Sequence, residues 1–322
     1  FIPIQMAGQN WDDHDRSGRY VCRDFGSNYL ESCEPNAIIF TNGDNDTFPL
    51  WYAQEVEGVR TDVRVCNTSY LQTDWYIDQM KRPAYDSPSL PITWDRMDYV
   101  EGTNEYIPVQ ADYKKSIDAL YAEAEKQALN GNPEALVNVK KEFGETPYEL
   151  QNILKYWVRA KNEDLHFIPT DTVYITLDKE AIKRSGMMIP EALKDSLPDK
   201  MAIPLKKRAL YKSELMMLEM LANTNWERPI YMATTVGEDN HLGLGPFFLQ
   251  EGLAYRITPF NYQQLGYPQS IREGYAIDTE KMYDNMMNKF KFGGIENPDV
   301  YLDETVSRMC YTPVSYTHLT LP

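Results

Sequence analysis

The sequence contains no run of about 18 apolar residues, so no segment of it predicts a membrane-spanning helix. Basic residues are few: 32 Lys and Arg stand against 48 Asp and Glu, which gives the 322-residue chain a formal net charge of −16. That sign argues against binding to the phosphate backbone of nucleic acid and against polybasic attachment to anionic lipid. With 43% hydrophobic and 25% charged residues, the composition is that of a folded globular protein of one large or two medium domains.

Cysteine is also scarce, and no C-x-x-C pair occurs, so zinc-ribbon and thioredoxin-type sites have no support. The signatures H-E-x-x-H, G-x-S-x-G, the Walker loop and G-x-G-x-x-G are absent as well. Cys22 and Cys33 lie on one predicted helix, about 16 Å apart along its axis, which is too far for a disulfide. A Cys22–Cys66 bond stays open beside the simpler interpretation of free thiols, so cysteine does not fix the compartment.

The two ends of the sequence predict a fragment of a longer polypeptide. It opens with Phe1-Ile-Pro-Ile, without an initiator Met or the charged n-region of a signal peptide. Residues 314–322 read VSYTHLTLP, which matches an in-frame translation of a transposon-type sequencing adaptor. We therefore predict that these residues are not native, which removes His318 from any candidate site.

Short apolar segments with clear start and stop signals predict an α/β fold. An amphipathic helix over 17–33 precedes a strand over 37–40 (AIIF), and a helix over 47–57 separates that strand from a second one over 62–66 (DVRVC). Strand, helix and strand within about 30 residues make a βαβ unit, which requires parallel strands.

In the later part of the chain, the sequence pattern predicts three helices, then several strands, and then a last helix. Helices are predicted over 112–129, 134–143 and 147–161, strands over 173–177, 201–205, 229–234 and 253–257, and a last helix over 279–292. We therefore predict a mainly parallel sheet with flanking helices and a helical insertion. The predicted division is a βαβ-containing first half over 1–111, the insertion over 112–165, and the second half over 166–313.

Acidic and amide side chains follow the two strands of the predicted βαβ unit. Asp44, Asn45 and Asp46 come after the first strand and Asn67 after the second, where open parallel sheets bind their ligands. These oxygen ligands suit Mg²⁺ or Ca²⁺, so Asp44 and Asp46 are candidate metal ligands, and Asn45 and Asn67 are candidate ligand-binding residues. The alternative is purely structural, because Asp and Asn are ordinary turn and helix-cap residues that the helix dipole stabilises without a metal.

Two more acidic segments are candidates for the same edge of the sheet. The cluster that precedes the first predicted helix offers either a metal or acid–base site, or salt bridges to nearby arginines; its members are Asp12, Asp13, His14 and Asp15. We expect this cluster to pack against the 43–46 loop. A second acidic segment follows a later strand in the same way and fits either a duplicated half-domain or chance; its members are Glu238, Asp239 and Asn240.

Longer blocks of the sequence carry a family resemblance. They are 10–16 (NWDDHDR), 41–65 (TNGDNDTFPLWYAQEVEGVRTDVRV), 73–82 (TDWYIDQMKR), 223–233 (NTNWERPIYMA), 251–257 (EGLAYRI), 282–294 (MYDNMMNKFKFGG) and 298–304 (PDVYLDE). These blocks resemble the soluble region of a family of bacterial multi-pass membrane proteins, formerly a domain of unknown function. That family is now grouped with protein O-mannosyltransferase-like glycosyltransferases.

The resemblance implies a membrane-anchored glycosyltransferase with a lipid-linked sugar donor, in which this region is periplasmic or otherwise extracytoplasmic. It also implies a membrane-spanning half of the same polypeptide as a partner. The catalytic carboxylate of such enzymes lies in that half, so the resemblance carries no catalytic role to any residue of this sequence.

Three functions compete at this stage. The first is a non-catalytic extracytoplasmic module that binds a glycan or protein acceptor or orients the membrane half. The second is an independent hydrolase or transferase that depends on a divalent cation held by the acidic residues at the strand ends. The third is a protein–protein interaction module. The 23 Tyr and 6 Trp residues suit sugar stacking, an interface or simple core packing.

Overall fold

The computed structural model describes residues 1–14, 18–267, 275–295, 297–304, 306–307 and 311. The helices are α1 (Ile2–His14), α2 (Val21–Glu31), α3 (Asp44–Glu55), α4 (Asp74–Met80), α5 (Arg96–Tyr99), α6 (Lys114–Leu129), α7 (Pro133–Phe143), α8 (Leu150–Asn152), α9 (Lys179–Arg184), α10 (Lys212–Asn223) and α11 (Thr279–Asp284). The strands are β1 (Ile38–Thr41), β2 (Arg64–Asn67), β3 (Tyr106–Pro108), β4 (Thr172–Thr176), β5 (Lys200–Pro204), β6 (Ala209–Tyr211), β7 (Ile230–Ala233), β8 (Phe248–Gln250), β9 (Ala254–Ile257) and β10 (Ala276–Ile277). Within these ranges, no helix has both the length and the apolar character that crossing a bilayer requires.

A six-stranded sheet with the order β10-β8-β9-β7-β1-β2 forms the centre of the fold. β1 pairs in parallel with both β2 and β7, so that Ile38 lies opposite Arg64 on one side and Ile230 on the other. β9 runs antiparallel to β7 and β8, whereas β8 is parallel to β10. The α/β class is confirmed, but the sheet is mixed, because the three-residue connection from β8 to β9 is far too short for a parallel crossover.

Two small antiparallel sheets lie outside the main one. β3 pairs with β6, and β4 pairs with β5, so the strands predicted over 173–177 and 201–205 contact each other and do not join the main sheet. Between β3 and β4, α6 and α7 coincide closely with two predicted helices, and α8 continues as a π-helical turn over Ile153–Val158. The division of the chain into two halves and an insertion stays a prediction.

The main sheet is covered on both faces. Every residue of β1, β2, β7, β8 and β9 is buried. Continuous burial of this kind is typical of strands covered on both faces, and here it includes polar side chains such as those of Thr41, Arg64 and Arg256. Cys33 and Cys66 lie in this interior as free thiols and Cys22 is an exposed one, so the free-thiol interpretation is confirmed for these three; Cys310 lies outside the described residues.

Helices α2 and α3 cross at a point where only glycine fits. Gly26 of α2 is buried, and a Cβ atom at this position would lie 2.1 Å from the carbonyl oxygen of Pro49 in α3. That distance is far below van der Waals contact, and the obstacle is backbone. The close crossing therefore depends on the missing side chain at Gly26, and it fixes α3 in its place beside β1 and β2.

Replacement of Gly26 by Ala should lower the free energy of unfolding by about 1–3 kcal/mol, because the helices must separate to admit the methyl group. Guanidinium denaturation followed by circular dichroism measures the change. Gly8→Ala is the matched control: nothing lies within 4 Å of a Cβ at Gly8 in the exposed helix α1, so stability should stay equal or rise. A Gly26→Ala protein as stable as wild type would contradict the close crossing.

Candidate functional site

The parallel pairing of β1 brings the carboxyl ends of three strands to one edge of the sheet. Thr41 at the end of β1 lies opposite Asn67 at the end of β2, and β7 flanks β1 on the other side. The chain leaves β1 through α3 toward β2, whereas β7 is reached only much later in the sequence. The crevice between β1 and β7 is thus a topological switch point, which is where open α/β sheets bind ligands. We call this region the polar edge, defined by residues 41–47, 67–69 and 234–235.

The acidic residues after β1 form a helical turn rather than a loop. α3 begins at Asp44, three residues before the predicted start at Thr47, and Gly43 precedes it with a positive φ of 80°. Asp44 and Asp46 therefore occupy the first turn, where the helix dipole favours negative charge. Inside the helix, the Thr47 hydroxyl donates to the Gly43 carbonyl at 2.7 Å. The predicted loop at this position is wrong because Asp and Asn begin helices and form turns equally well.

Asp46 joins the end of β1 to the end of β7. Its carboxylate is buried and accepts hydrogen bonds from the Thr235 hydroxyl and from the backbone N–H of Asn42. Burial raises the pKa of Asp46, and these two donors oppose that change only in part. Asp44 and Asn45, in contrast, are exposed to solvent. The two candidate metal ligands thus have different surroundings, and Asp46 already has a structural role.

Asn67 is equally committed to the protein. Its amide Nδ2 donates to Thr47 Oγ1 at 2.8 Å and to the Gly43 carbonyl at 3.3 Å. Its Oδ1 accepts from the backbone N–H of Tyr70 at 3.1 Å, and its side chain is buried. Asn67 therefore holds the start of α3 against the end of β2. The nearby Ser69 is exposed, and its hydroxyl donates to Asn42 Oδ1 at 2.7 Å, so this pair faces solvent.

The cation hypothesis gains no support from this geometry. Among the residues that the structure describes, no three His, Cys, Asp or Glu side chains are grouped so that they could hold a metal ion. A Mg²⁺ or Ca²⁺ site at Asp44 and Asp46 stays a prediction.

The first acidic cluster lies at the end of a helix. Asp12, Asp13 and His14 belong to the last turn of α1, so the predicted loop in front of the first helix is wrong for them. The cause is an additional helix upstream of the one that the sequence pattern predicted. Asp15 lies outside the described residues, as do the side chains of the other three. The expected packing of this cluster against residues 43–46 stays a prediction.

The second acidic segment follows β7 as a single 3₁₀ turn over Glu238–Asn240, and the chain then enters β8 without a crossover helix. The similarity between the segments after β1 and after β7 is therefore limited to a strand followed by an acidic turn. Beside this turn lies a cavity of about 520 Å³, which we call the β7 cavity; its polar lining residues are Lys206, Lys207, Glu238, Asp239, His241, Gln263 and Tyr275. Asn240 is not among its lining residues.

A row of aromatic rings adjoins the polar edge, and the sequence patterns did not single it out. The centroids of Phe48 and Trp51 are 5.7 Å apart, those of Trp51 and Tyr70 are 6.3 Å apart, and those of Tyr70 and Trp75 are 5.9 Å apart. Phe48 is 48% exposed and Trp75 is 54% exposed, although large apolar side chains are normally buried. We call these four residues the aromatic row. They come from α3 and from the segment after β2, so only the fold brings them together.

Comparison with known proteins links this fold to a glycosyltransferase. The family described as TMEM260-associated domain 2 matches residues 22–281. The chain belongs to this family. The Mus musculus protein O-mannosyl-transferase TMEM260 is 30% identical to it over 102 residues, which cover 32% of this chain and 14% of the relative. The chain therefore spans only a small part of that relative, and no solved structure matches it.

The resemblance to an O-mannosyltransferase-associated domain is confirmed by these matches. The part of the chain that matches the TMEM260-associated domain 2 family contains the polar edge, the aromatic row and the β7 cavity, whereas α1 lies before it. All three candidate regions thus belong to the family domain itself.

The buried carboxylate of Asp46 predicts a pH-dependent stability. Because its pKa is raised on folding, its stabilising contribution is complete below the unfolded value of about 3.9 and is lost as the pH rises through the folded value. Asp46→Asn resembles the neutral form and keeps an acceptor oxygen for Thr235. The free energy of unfolding of Asp46→Asn minus that of wild type should therefore become more positive between about pH 4 and about pH 7, because only wild type loses stability.

Urea denaturation at several pH values measures this difference. Asp44→Asn is the control, because it removes a carboxylate from the exposed side of the same helical turn. A difference between Asp46→Asn and wild type that stays constant with pH would contradict the burial of the charged group.

Proposed function

We propose that this domain is the non-catalytic, acceptor-binding part of a membrane-embedded O-mannosyltransferase-like glycosyltransferase, located outside the cytoplasm. The observation that carries the proposal is the aromatic row beside the polar edge, in a chain that belongs to the TMEM260-associated domain 2 family. The name of the mouse relative gives protein as the acceptor. The acceptor of this domain is accordingly an extended polypeptide segment that contains Ser or Thr.

Apolar and polar groups lie side by side at this surface, which suits a polypeptide. Phe48 and Trp75 present exposed rings that pack well against aliphatic or aromatic side chains. Ser69 and Asn42 lie next to the row, because Ser69 directly precedes Tyr70, and they offer a hydroxyl and an amide to the backbone of a bound segment. The chain charge of −16 favours a neutral or basic acceptor over an acidic one.

A non-catalytic role is supported by how the polar side chains of this edge are used. Asp46 accepts two hydrogen bonds from the protein, and both amide atoms of Asn67 are engaged in holding α3. The amide of Asn67 cannot act as a general base, and the carboxylate of Asp46 is buried among these contacts. The cation-dependent hydrolase, which needs a set of ligands at this position, is therefore the weaker candidate.

The aromatic row is tested by the binding of a labelled peptide to the 322-residue chain. The probe is a fluorescein-labelled, unglycosylated 15-residue peptide that is rich in Ser, Thr and aliphatic residues and carries no net charge. Phe48→Ala and Trp75→Ala should each raise its Kd by about 5- to 20-fold, because a buried aromatic anchor at an interface typically contributes more than about 1 kcal/mol. Fluorescence polarisation measures the Kd.

Tyr283→Ala is the matched control, since Tyr283 is 56% exposed on α11 and lies outside the aromatic row. It should bind the peptide as wild type does. Loss of binding in the control alone, or equal affinity in all four proteins, would refute the assignment of the acceptor to the aromatic row.

A further inference from the structure

We propose that the β7 cavity binds one neutral saccharide unit, the sugar that an acceptor segment already carries. The inference rests on the proposed function and names a second ligand for the same domain. Three observations support it: the size of the cavity, the fixed position of the Tyr275 ring that forms its aromatic wall, and the mixture of charges at its rim.

The cavity has the size and construction of a preformed small-molecule site. Its volume of about 520 Å³ falls within the range of roughly 300–1,000 Å³ that such sites occupy. Its walls come from four separate segments: residues 205–210 after β5, residues 238–246 after β7, Gln263 after β9, and Tyr275 just before β10. Sequence patterns did not reveal it, because these segments meet only in the folded chain.

A buried histidine fixes the aromatic wall. His241 is 5% exposed, and its Nε2 lies 2.9 Å from the Val236 carbonyl, which is only an acceptor. Nε2 therefore carries the proton, and Nδ1 accepts a hydrogen bond of 3.0 Å from the Tyr275 hydroxyl. Burial lowers the pKa of His241, which favours the neutral ring that this arrangement needs. The Tyr275 ring is thus held in one orientation.

Two glycines allow the segment after β7 to pack closely against Tyr275 and against the end of β5. A Cβ at Gly245 would lie 3.0 Å from the Tyr275 ring, and a Cβ at Gly243 would lie 2.1 Å from the Pro204 carbonyl oxygen. Gly243 also has a positive φ of 74°, which disfavours other residues. The walls are therefore closely packed, and a ligand finds the cavity already formed.

The polar groups at the cavity suit hydroxyl groups better than a single ion. Lys206, Glu238 and Asp239 are exposed and contribute both signs of charge, while Lys207 forms a 2.5 Å salt bridge with Glu214. An anion would meet the two carboxylates, and a cation would meet the two lysines. Sugar hydroxyls both donate and accept hydrogen bonds, and the C–H face of a sugar ring packs against an aromatic ring such as that of Tyr275.

The cavity and the polar edge share the chain segment that follows β7. Thr235, which donates to Asp46 at the polar edge, lies three residues before Glu238 in the segment that follows β7. The saccharide site and the proposed peptide surface consist of different residues, so each can be changed without the other.

Saturation-transfer NMR with methyl α-D-mannopyranoside tests the cavity. Wild type should transfer magnetisation to the sugar, whereas Asp239→Asn and Tyr275→Ala should each weaken binding at least fivefold, with circular dichroism spectra like that of wild type. Asp239 is exposed, so its conservative variant tests the cavity even if Tyr275→Ala disturbs the fold. Glu134→Gln on the exposed surface of α7 is the control and should bind as wild type does.

Transfer that is absent in wild type, or equal in wild type and Asp239→Asn, overturns the proposal. Displacement of the sugar by inorganic phosphate overturns it as well, since it assigns an anion site. The peptide assay separates this result from the proposed function. Asp239→Asn should still bind the unglycosylated peptide, and Trp75→Ala should still bind the sugar, so each of the two assignments fails on its own.

Discussion

The parallel pairing of β1 with both β2 and β7 is the constraint on which the rest of the structure depends. It places three carboxyl ends at one edge, where Thr41 lies opposite Asn67 and the chain after β7 returns to meet the start of α3. Every residue of these strands is buried, including Thr41, Arg64 and Asn67, so a shift in register would separate these polar side chains from their hydrogen-bond partners. The polar edge, the aromatic row and the β7 cavity all take their positions from this pairing.

The polar side chains at this edge divide into those that hold the fold and those that face solvent. Asp46 ties α3 to the segment after β7, and Asn67 ties it to the end of β2. A buried polar group left without its partner costs about 1–3 kcal/mol, so these side chains are needed where they are. The exposed groups, which are Asp44, Asn45, Ser69 and the rings of Phe48 and Trp75, are open to a ligand.

The sequence predicted the βαβ unit well because its signals are local. The strands predicted over 37–40 and 62–66 differ from β1 and β2 by one or two residues at each end, because apolar residues mark both strands. Pro49 and Gly58 mark the helix between them. The start of α3 was missed because Asp and Asn suit a turn and a first helical turn alike. The candidate residues Asp46 and Asn67 were found, but the partners that decide their role lie in other segments: Thr235 after β7 for Asp46, and Thr47 in α3 for Asn67.

The remaining features depend on contacts between distant segments. The antiparallel strand β9 follows from a three-residue connection that the spacing of the predicted elements did not show. The bond between His241 and Tyr275 joins residues 34 positions apart, and the aromatic row combines α3 with the segment after β2. A high content of Tyr and Trp was visible in the sequence, but composition does not tell which rings reach the surface.

The central claim, that the domain binds a polypeptide acceptor at the carboxyl edge of its parallel strands, is tested most directly by hydrogen–deuterium exchange. The 322-residue chain is compared with and without an unglycosylated Ser- and Thr-rich peptide. We expect slower exchange in the segments 42–51 and 67–76, with no change in the helices over 114–143. Protection confined to 114–143, or no protection at the two edge segments when the peptide is saturating, would contradict the account.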